Sequence, residues 1–436
     1  MKKIIKYSIL TALIFSTIIF TWFFRYRFML LVSTNELKGM KPSLIEGYTN
    51  KLFYEIGDTM IFYLKSETND NALKIKKIIN PHSYKIVHEN TFPMINQEIN
   101  ETQSEFGCNW KESLRIFIDD DFEEGYYLVE LKNNDKIDFI FPIIISSENQ
   151  TSNIALLAPT STWVAYNHWG GKSLYDNIID NSNVYHVSNQ RPNTMMMGKH
   201  DIEVEANIYN WFEKKHNINI YPDNILDMDM NALDESSMII LSYHCEYISN
   251  ATYSKLMDLV DVDGKSIMSI GGNQIYWKTK WNENFQTMEC RKDLTMFENS
   301  FSLGGMWKHN FKSEDKFLGV RYDKRGYKTF SPYKIILPEH WLFNNINIPT
   351  DSIFGRNGIN ELGLSGLETD KITRSSKRYV TLIAKGQNPN NGGADLIIKE
   401  LGNNAILSTG SIQSGSGLGV DSVFTKIINN FIEKYK

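Results

Sequence analysis

Three short segments carry residues able to do chemistry together. They are Tyr166-Asn167-His168-Trp169-Gly-Gly171, Tyr243-His244-Cys245-Glu246-Tyr247 and Gly271-Gly272-Asn273-Gln274. Each follows an apolar, strand-like run: Ile154-Ala-Leu-Leu-Ala, Met238-Ile-Ile-Leu-Ser and Ser266-Ile-Met-Ser-Ile. Ligands of open α/β sheets bind at the carboxyl ends of strands, so Tyr166, His244, Glu246 and Asn273 are expected to share one crevice. A glutamate with tyrosine phenolates is a hard oxygen-donor set, better suited to a ferric or similar cation than to a soft metal. His244 and Asn273 would orient a substrate or a water. Taken singly, each has a plainer reading. His-x-Glu is often a loop hydrogen-bond pair, a tyrosine in an aromatic stretch is ordinarily packing, and Gly-Gly-Asn is ordinarily a tight turn or cap. Their placement at successive strand ends is what favours a site.

The elements that must position these residues can be read from periodicity. From Ser152 onward strand-like runs alternate with helix-like stretches at 201–216 and 253–262, a pattern that predicts a parallel sheet flanked by helices. Asn404-Ala-Ile-Leu-Ser-Thr predicts a further strand, and residues 421–436 a closing helix. The stretch 280–380 mixes Gly, Pro, Asn and aromatics and reads as a loop-rich insertion or an extra sheet. Residues 44–148 carry short β-prone runs parted by polar turns, as in a sandwich. The fold class is therefore α/β: a β-sandwich-like domain at 44–148, then an α/β domain at 152–436.

Composition sets further bounds. The chain has 436 residues, 42% hydrophobic, with a net charge of −5 and no basic stripe, so nucleic acid is not expected as a partner. Cys108, Cys245 and Cys290 lie far apart and read as buried thiols. No Gly-x-Ser-x-Gly elbow, Walker loop or His-Glu-x-x-His motif occurs, and Gly415-Ser-Gly-Leu-Gly lacks Rossmann spacing and reads as a flexible turn. Residues 7–24 are free of charge, between Lys2, Lys3 and Lys6 on one side and Arg25 and Arg27 on the other. That length suits a spanning helix, which needs roughly 20 apolar residues. Residues 1–32 are therefore expected to form an uncleaved single-pass anchor and its flank, with the body outside the cytoplasm.

Longer motifs bring a family into view. Trp163-Val-Ala-Tyr-Asn-His-Trp-Gly-Gly-Lys-Ser-Leu-Tyr175 resembles the hallmark of the C-terminal region of the N,N-dimethylformamidase large (beta) subunit. Gly125-Tyr-Tyr127, Val187-Ser-Asn-Gln-Arg-Pro192, His244-Cys-Glu-Tyr247, Gly271-Gly-Asn273, Gly366-Leu-Glu368 and Gly410-Ser-Ile412 agree with it in order. The resemblance implies a sandwich-like segment followed by a domain similar to class I glutamine amidotransferases. It also implies a mononuclear ferric iron held by two tyrosines and one glutamate. Carried over, those are Tyr166, Glu246 and Tyr127, with Tyr126 as the alternative register. The same resemblance makes Glu368 the base that activates water, and sets His244 and Asn273 along the site as hydrogen-bond donors to an oxyanion.

The expected function is thus a membrane-anchored, iron-dependent hydrolase of an amide or related C–N bond. Two alternatives stand beside it: a non-catalytic surface protein binding a ligand or glycan in the same crevice, and an enzyme acting on cell-envelope carbohydrate, with Trp163, Trp169 and Trp277 stacking on sugar. The expected partners are a small-molecule amide or glycan substrate and the membrane, with self-association left open.

Overall fold

The computed structural model describes residues 43–98, 102–146, 152–177, 182–197 and 201–436. The candidate anchor at 7–24 lies outside the described residues, and among those described no helix is long and apolar enough to cross a membrane. Ile45–Lys436 forms one compact unit of mixed α/β structure.

Its first part is two antiparallel-rich sheets. Ile45–Thr49, Thr59–Ser66 and Leu114–Phe117 form one; Phe53–Glu55, Lys136–Ser146, Gly125–Asn133, Asn71–Asn80 and Ser83–Phe92 form the other, in that spatial order. Side chains alternate across a strand, and the Gly125–Asn133 strand shows the consequence. Tyr127, Val129 and Leu131 join Phe62, Leu64, Leu73 and Phe141 in the core between the two sheets. Tyr126 and Leu128 point the other way, into a second core with Trp163 and Tyr209. That strand is thus buried on both faces, and Asn210 ties its sheet to the Ile202–His216 helix by donating to the Ile78 and Ile79 carbonyls, both at 3.1 Å.

The second part is built on a nine-stranded sheet. Asn219–Pro222, Ile154–Ala158, Met238–Tyr243, Ser266–Gly271 and Ala405–Ser408 run parallel, in that order. Asp395–Glu400, Thr381–Gly386, Tyr333–Ile335 and Ile353–Phe354 continue it antiparallel. The five parallel strands are buried throughout, as expected for a sheet covered on both faces. Ile239, Leu241 and Ile267 face Tyr253, Leu256 and Leu259 of the Asn250–Asp261 helix. Ile240, Met268 and Leu407 share the opposite core with the Ile202–His216 and Ser422–Tyr435 helices. The last helix buries Phe424, Ile427, Ile428 and Phe431 at helical spacing, and Asp421 caps it through Phe424 N at 2.8 Å.

The 280–380 stretch resolves into pieces with separate tasks. Two strands extend the large sheet. The short ladders Arg321–Tyr322 with Asp370–Lys371, and Phe330–Ser331 with Ser365–Gly366, bracket the turn that carries Glu368. A separate four-stranded sheet orders His186–Ser188, Thr287–Cys290, Trp277–Trp281 and Tyr247–Ser249. The glycine run near 415 is a buried 3-10 turn rather than a flexible one; a Cβ on Gly415 would meet Ile208 at 2.4 Å.

A buried carboxyl sets the start of the helix that leads into the candidate site. Asp223 Oδ1 accepts from Ser161 N at 3.0 Å, Ser161 Oγ at 2.6 Å and Thr160 Oγ1 at 3.1 Å. These bonds stand in for a side-chain cap, which Pro159 cannot supply to the Thr160–Tyr166 helix. Burial pushes Asp223 up to about 7, against those donors, and brings Glu314 and Asp370 up to about 7 as well. A carboxyl raised above its unfolded value of about 4 keeps its proton longer when folded. Its contribution is therefore full at low pH and is lost as pH rises through about 7. The urea midpoint should fall between about pH 4 and about pH 7, and Asp223→Asn should flatten that fall. A midpoint that rises across the window would contradict this.

Candidate active site

The Ile154–Ala158, Met238–Tyr243 and Ser266–Gly271 strands end in register, with Tyr243 opposite Gly271. Their ends approach so closely that only glycine fits. A Cβ on Gly271 would lie 2.1 Å from the Tyr243 carbonyl, and one on Gly272 2.6 Å from that of Glu368. Tyr243 takes φ 54°, which turns the chain sharply out of the strand. Thr162 then holds the turn, donating from Oγ1 to the His244 carbonyl at 2.7 Å and accepting from Glu246 N at 3.2 Å. His244 and Glu246 are thereby both delivered into one buried cluster.

Tyr166 ends the short helix, and the next nine residues double back on it. Leu174 N donates to the Ala165 carbonyl at 3.1 Å, which closes the excursion. Arg191, fully buried, straps it from inside. Its guanidinium donates to the carbonyls of Asn167 (2.9 Å), Trp169 (2.7 Å), Lys172 (2.9 Å) and Ser188 (3.1 Å). Burial pushes that guanidinium down to about 9, still above neutral pH. Asn167 adds bonds to Trp169 N, Thr194 and the Pro192 carbonyl. Tyr175 returns to lie against Tyr166, ring centroids 4.6 Å apart.

The cluster is centred on Glu246, which is 2% exposed. Tyr166 donates to its Oε2 at 2.8 Å, and the Tyr175 hydroxyl lies 2.9 and 2.8 Å from its two oxygens and 3.1 Å from that of Tyr166. Asn273 Nδ2 spans two carboxylates, at 3.3 Å from Glu246 Oε1 and 2.7 Å from Glu368 Oε2. This double donation assigns the amide orientation and leaves Asn273 Oδ1 buried without a partner. Asp370 anchors the Asn273 backbone, accepting from its N–H at 2.9 and 3.1 Å. His244 Nδ1 donates to the Gly272 carbonyl at 2.9 Å, while Nε2 lies 3.0 Å from the Tyr166 oxygen and 3.4 Å from Glu246.

Charge follows from these contacts. Burial alone would push His244 down, but the hydrogen bond and charge of Glu246, with Glu368 and the Gly272 carbonyl, bring it up to about 9. Burial would likewise raise Glu246, yet His244, Lys292 and Tyr175 hold it below the ordinary range. Glu368 is raised, first by burial and then by Glu246, against His244 and Asn273. Burial and the Glu246 charge push the Tyr166 and Tyr175 phenols well above their usual value. The cluster thus holds an imidazolium, a carboxylate and two neutral phenols.

Of the residues expected from sequence, the structure brings together Tyr166, His244, Glu246, Asn273 and Glu368. It does not bring Tyr127. Strand alternation sends that ring into the sandwich core, where its hydroxyl donates to the Glu123 carbonyl at 2.6 Å. Tyr126 faces the other core, against Trp163 and Tyr209. The third oxygen at Glu246 belongs to Tyr175, the last residue of the long Trp163–Tyr175 motif; the doubled Gly170-Gly171, both with positive φ, was the available signal that the chain turns back. Trp163 and Trp169 are buried and offer no ring face to a sugar. Among the described residues no three His, Cys, Asp or Glu side chains gather as a metal site; the donor set here is two phenols and a carboxylate, which fits a hard cation.

Residues 82–429 match the family described as N,N-dimethylformamidase beta subunit-like, C-terminal. The chain belongs to that family. The match begins inside the two-sheet segment and ends in the closing helix, so this N,N-dimethylformamidase-like chain carries the family's sequence on both sides of its candidate site. Membership makes it a relative of amide hydrolases at the level of family. No curated protein matches it. One solved structure, Pseudomonas fluorescens alkylpurine DNA glycosylase AlkC bound to DNA containing an abasic site analog, is similar at TM-score 0.14 and 9% identity, over 24% of this chain and 30% of that one. A likeness that slight carries no argument.

The two tyrosine positions separate cleanly by mutation. Tyr127→Phe should cost about 1 kcal/mol of folding stability, the worth of a typical hydrogen bond, and leave metal uptake unchanged. If the donor set around Glu246 holds a cation, Tyr175→Phe should weaken its uptake. Denaturant titration and metal titration of both variants check this, and loss of metal from Tyr127→Phe alone would reverse the assignment.

Proposed function

We propose that this chain is an iron-dependent hydrolase of an amide or related C–N bond. The observation that carries the reading is the meeting of Tyr166, Tyr175 and Glu246 oxygens beside Asn273 and Glu368. The five-strand parallel run with helices on both faces supports placing the scaffold with class I glutamine amidotransferase-like domains. Tyr166, Tyr175 and Glu246 would hold the iron. When bound, it would supply Lewis-acid polarisation of a carbonyl and a more acidic water.

The remaining work falls to the chain's own side chains. Glu368, raised by burial and fixed by Asn273, takes a proton from the attacking water. The water oxygen bonds to the carbonyl carbon, the C–N bond breaks, and the same proton passes from Glu368 to the departing nitrogen. An acid and an amine leave. With Nδ2 committed to two carboxylates, Asn273 acts as an orienter of Glu368 rather than as the oxyanion donor. His244 contributes positive charge where an oxyanion develops and holds the Tyr166 oxygen in place.

Glu368→Gln keeps the Asn273 contact and removes the base. It should lower kcat by at least about 100-fold, the scale of general-base catalysis, with iron content unchanged. Assays on a panel of formamides and other amides read both outcomes. Turnover equal to that of the unaltered chain would exclude Glu368 as the base.

A further inference from the structure

We propose that Lys292 is a positioning residue that holds Tyr175 against Glu246, and that the small four-stranded sheet sets it there. The inference rests on the reading of Tyr175 as a metal oxygen.

Tyr175 lies in a segment with neither helix nor strand around it. Its backbone is turned by Ser173 Oγ, which accepts from Tyr175 N at 3.1 Å and Asp176 N at 3.0 Å. Those bonds fix the main chain; the ring, 46% exposed over the residue, is held from within by its hydroxyl at Glu246 and Tyr166 and by the Tyr166 ring. The cation that meets the ring is Lys292. Its Nζ sits 3.7 Å from the Tyr175 ring centroid, closer than any other cation to a ring among the described residues. An ammonium over a tyrosine face is attracted by the ring quadrupole, and more so where water is displaced.

The ammonium is itself fixed. It donates to the Tyr247 hydroxyl at 2.9 Å and lies 5.3 Å from the Tyr247 ring and 4.8 Å from that of Trp277. Among the described residues no carboxylate forms an ion pair with it; aromatic faces and one phenol oxygen touch it, while Glu246 and Asp176 act on it through charge at longer range. Three strands of the small sheet supply these parts. Tyr247 opens one strand and Trp277 the next, paired with each other in register. Lys292 follows the third, Thr287–Cys290, whose Cys290 pairs with Thr279. Tyr247 is also the direct neighbour of Glu246. The edge that grips Lys292 is thus continuous in the chain with the carboxylate that Tyr175 must reach. No chemical step is assigned to Lys292; it acts through Tyr175.

Lys292→Met keeps most of the side-chain length and removes the charge. The purified full chain, its Lys292→Met and Lys292→Arg variants and Tyr175→Phe are loaded with ferric ion, and visible absorbance is read per bound iron. Lys292→Met is expected to fall to the level of Tyr175→Phe, one tyrosinate in place of two, with Lys292→Arg returning toward the unaltered value. Reading the band per bound iron separates this from simple loss of folded protein. Absorbance of Lys292→Met equal to that of the unaltered chain overturns the proposal. If the unaltered chain takes up no coloured iron, the function proposed above fails, and hydrogen exchange on the metal-free protein decides this inference separately. Faster exchange at 174–177 in Lys292→Met, with the small sheet unchanged, supports it; identical exchange overturns it.

Discussion

A carboxylate taken out of water has to be met by donors, and the buried Glu246 imposes that demand on everything around it. An isolated charge at such depth would cost several kcal/mol. Two phenols, a side-chain amide and an imidazolium answer it, and they arrive from separate parts of the chain. Tyr166 comes from the short helix after one strand, His244 from the turn after the next, and Asn273 from the glycine turn after the third. Tyr175 comes from a loop that doubles back. The close approach of strand ends at Gly271 and Gly272, and the straps from Arg191 and Asp370, all serve that one convergence.

Much of this was legible in the sequence, for a physical reason. Parallel strands buried on both faces must be apolar along their length, so Ile154-Ala-Leu-Leu-Ala, Met238-Ile-Ile-Leu-Ser and Ser266-Ile-Met-Ser-Ile announce themselves. Polar residues just beyond them then point to Tyr166, His244, Glu246 and Asn273. Helices at 202–216 and 422–435 were legible from the spacing of their apolar residues. The antiparallel extension at Tyr333–Ile335 and Ile353–Phe354 was not, because strands so short carry no period.

Tyr126 and Tyr127 lie away from Glu246 for an equally physical reason. Tyr127 sits in a matching Gly-Tyr-Tyr string, but strand alternation decides which way each tyrosine points, and neither points to Glu246. Tyr175 reaches Glu246 through a path fixed by long-range bonds from Arg191, 16 residues further along the chain, which no local pattern encodes. Glu368 carries no local signal of its own and came only through the family resemblance; the paired ladders on either side of it explain how an otherwise irregular stretch places it within 2.7 Å of Asn273.

The metal-free cluster is held together by the two phenol protons that a cation would have to displace, since Tyr166 and Tyr175 both hydrogen-bond Glu246. Uptake of a cation there would therefore release protons. Titrating the purified full chain with ferric ion, while recording the visible spectrum and the protons released, tests this most directly. The expected result is a coloured tyrosinate complex, release of about two protons per iron, and affinity that rises with pH. A colourless chain, or iron bound with no proton released from the phenols, would contradict it.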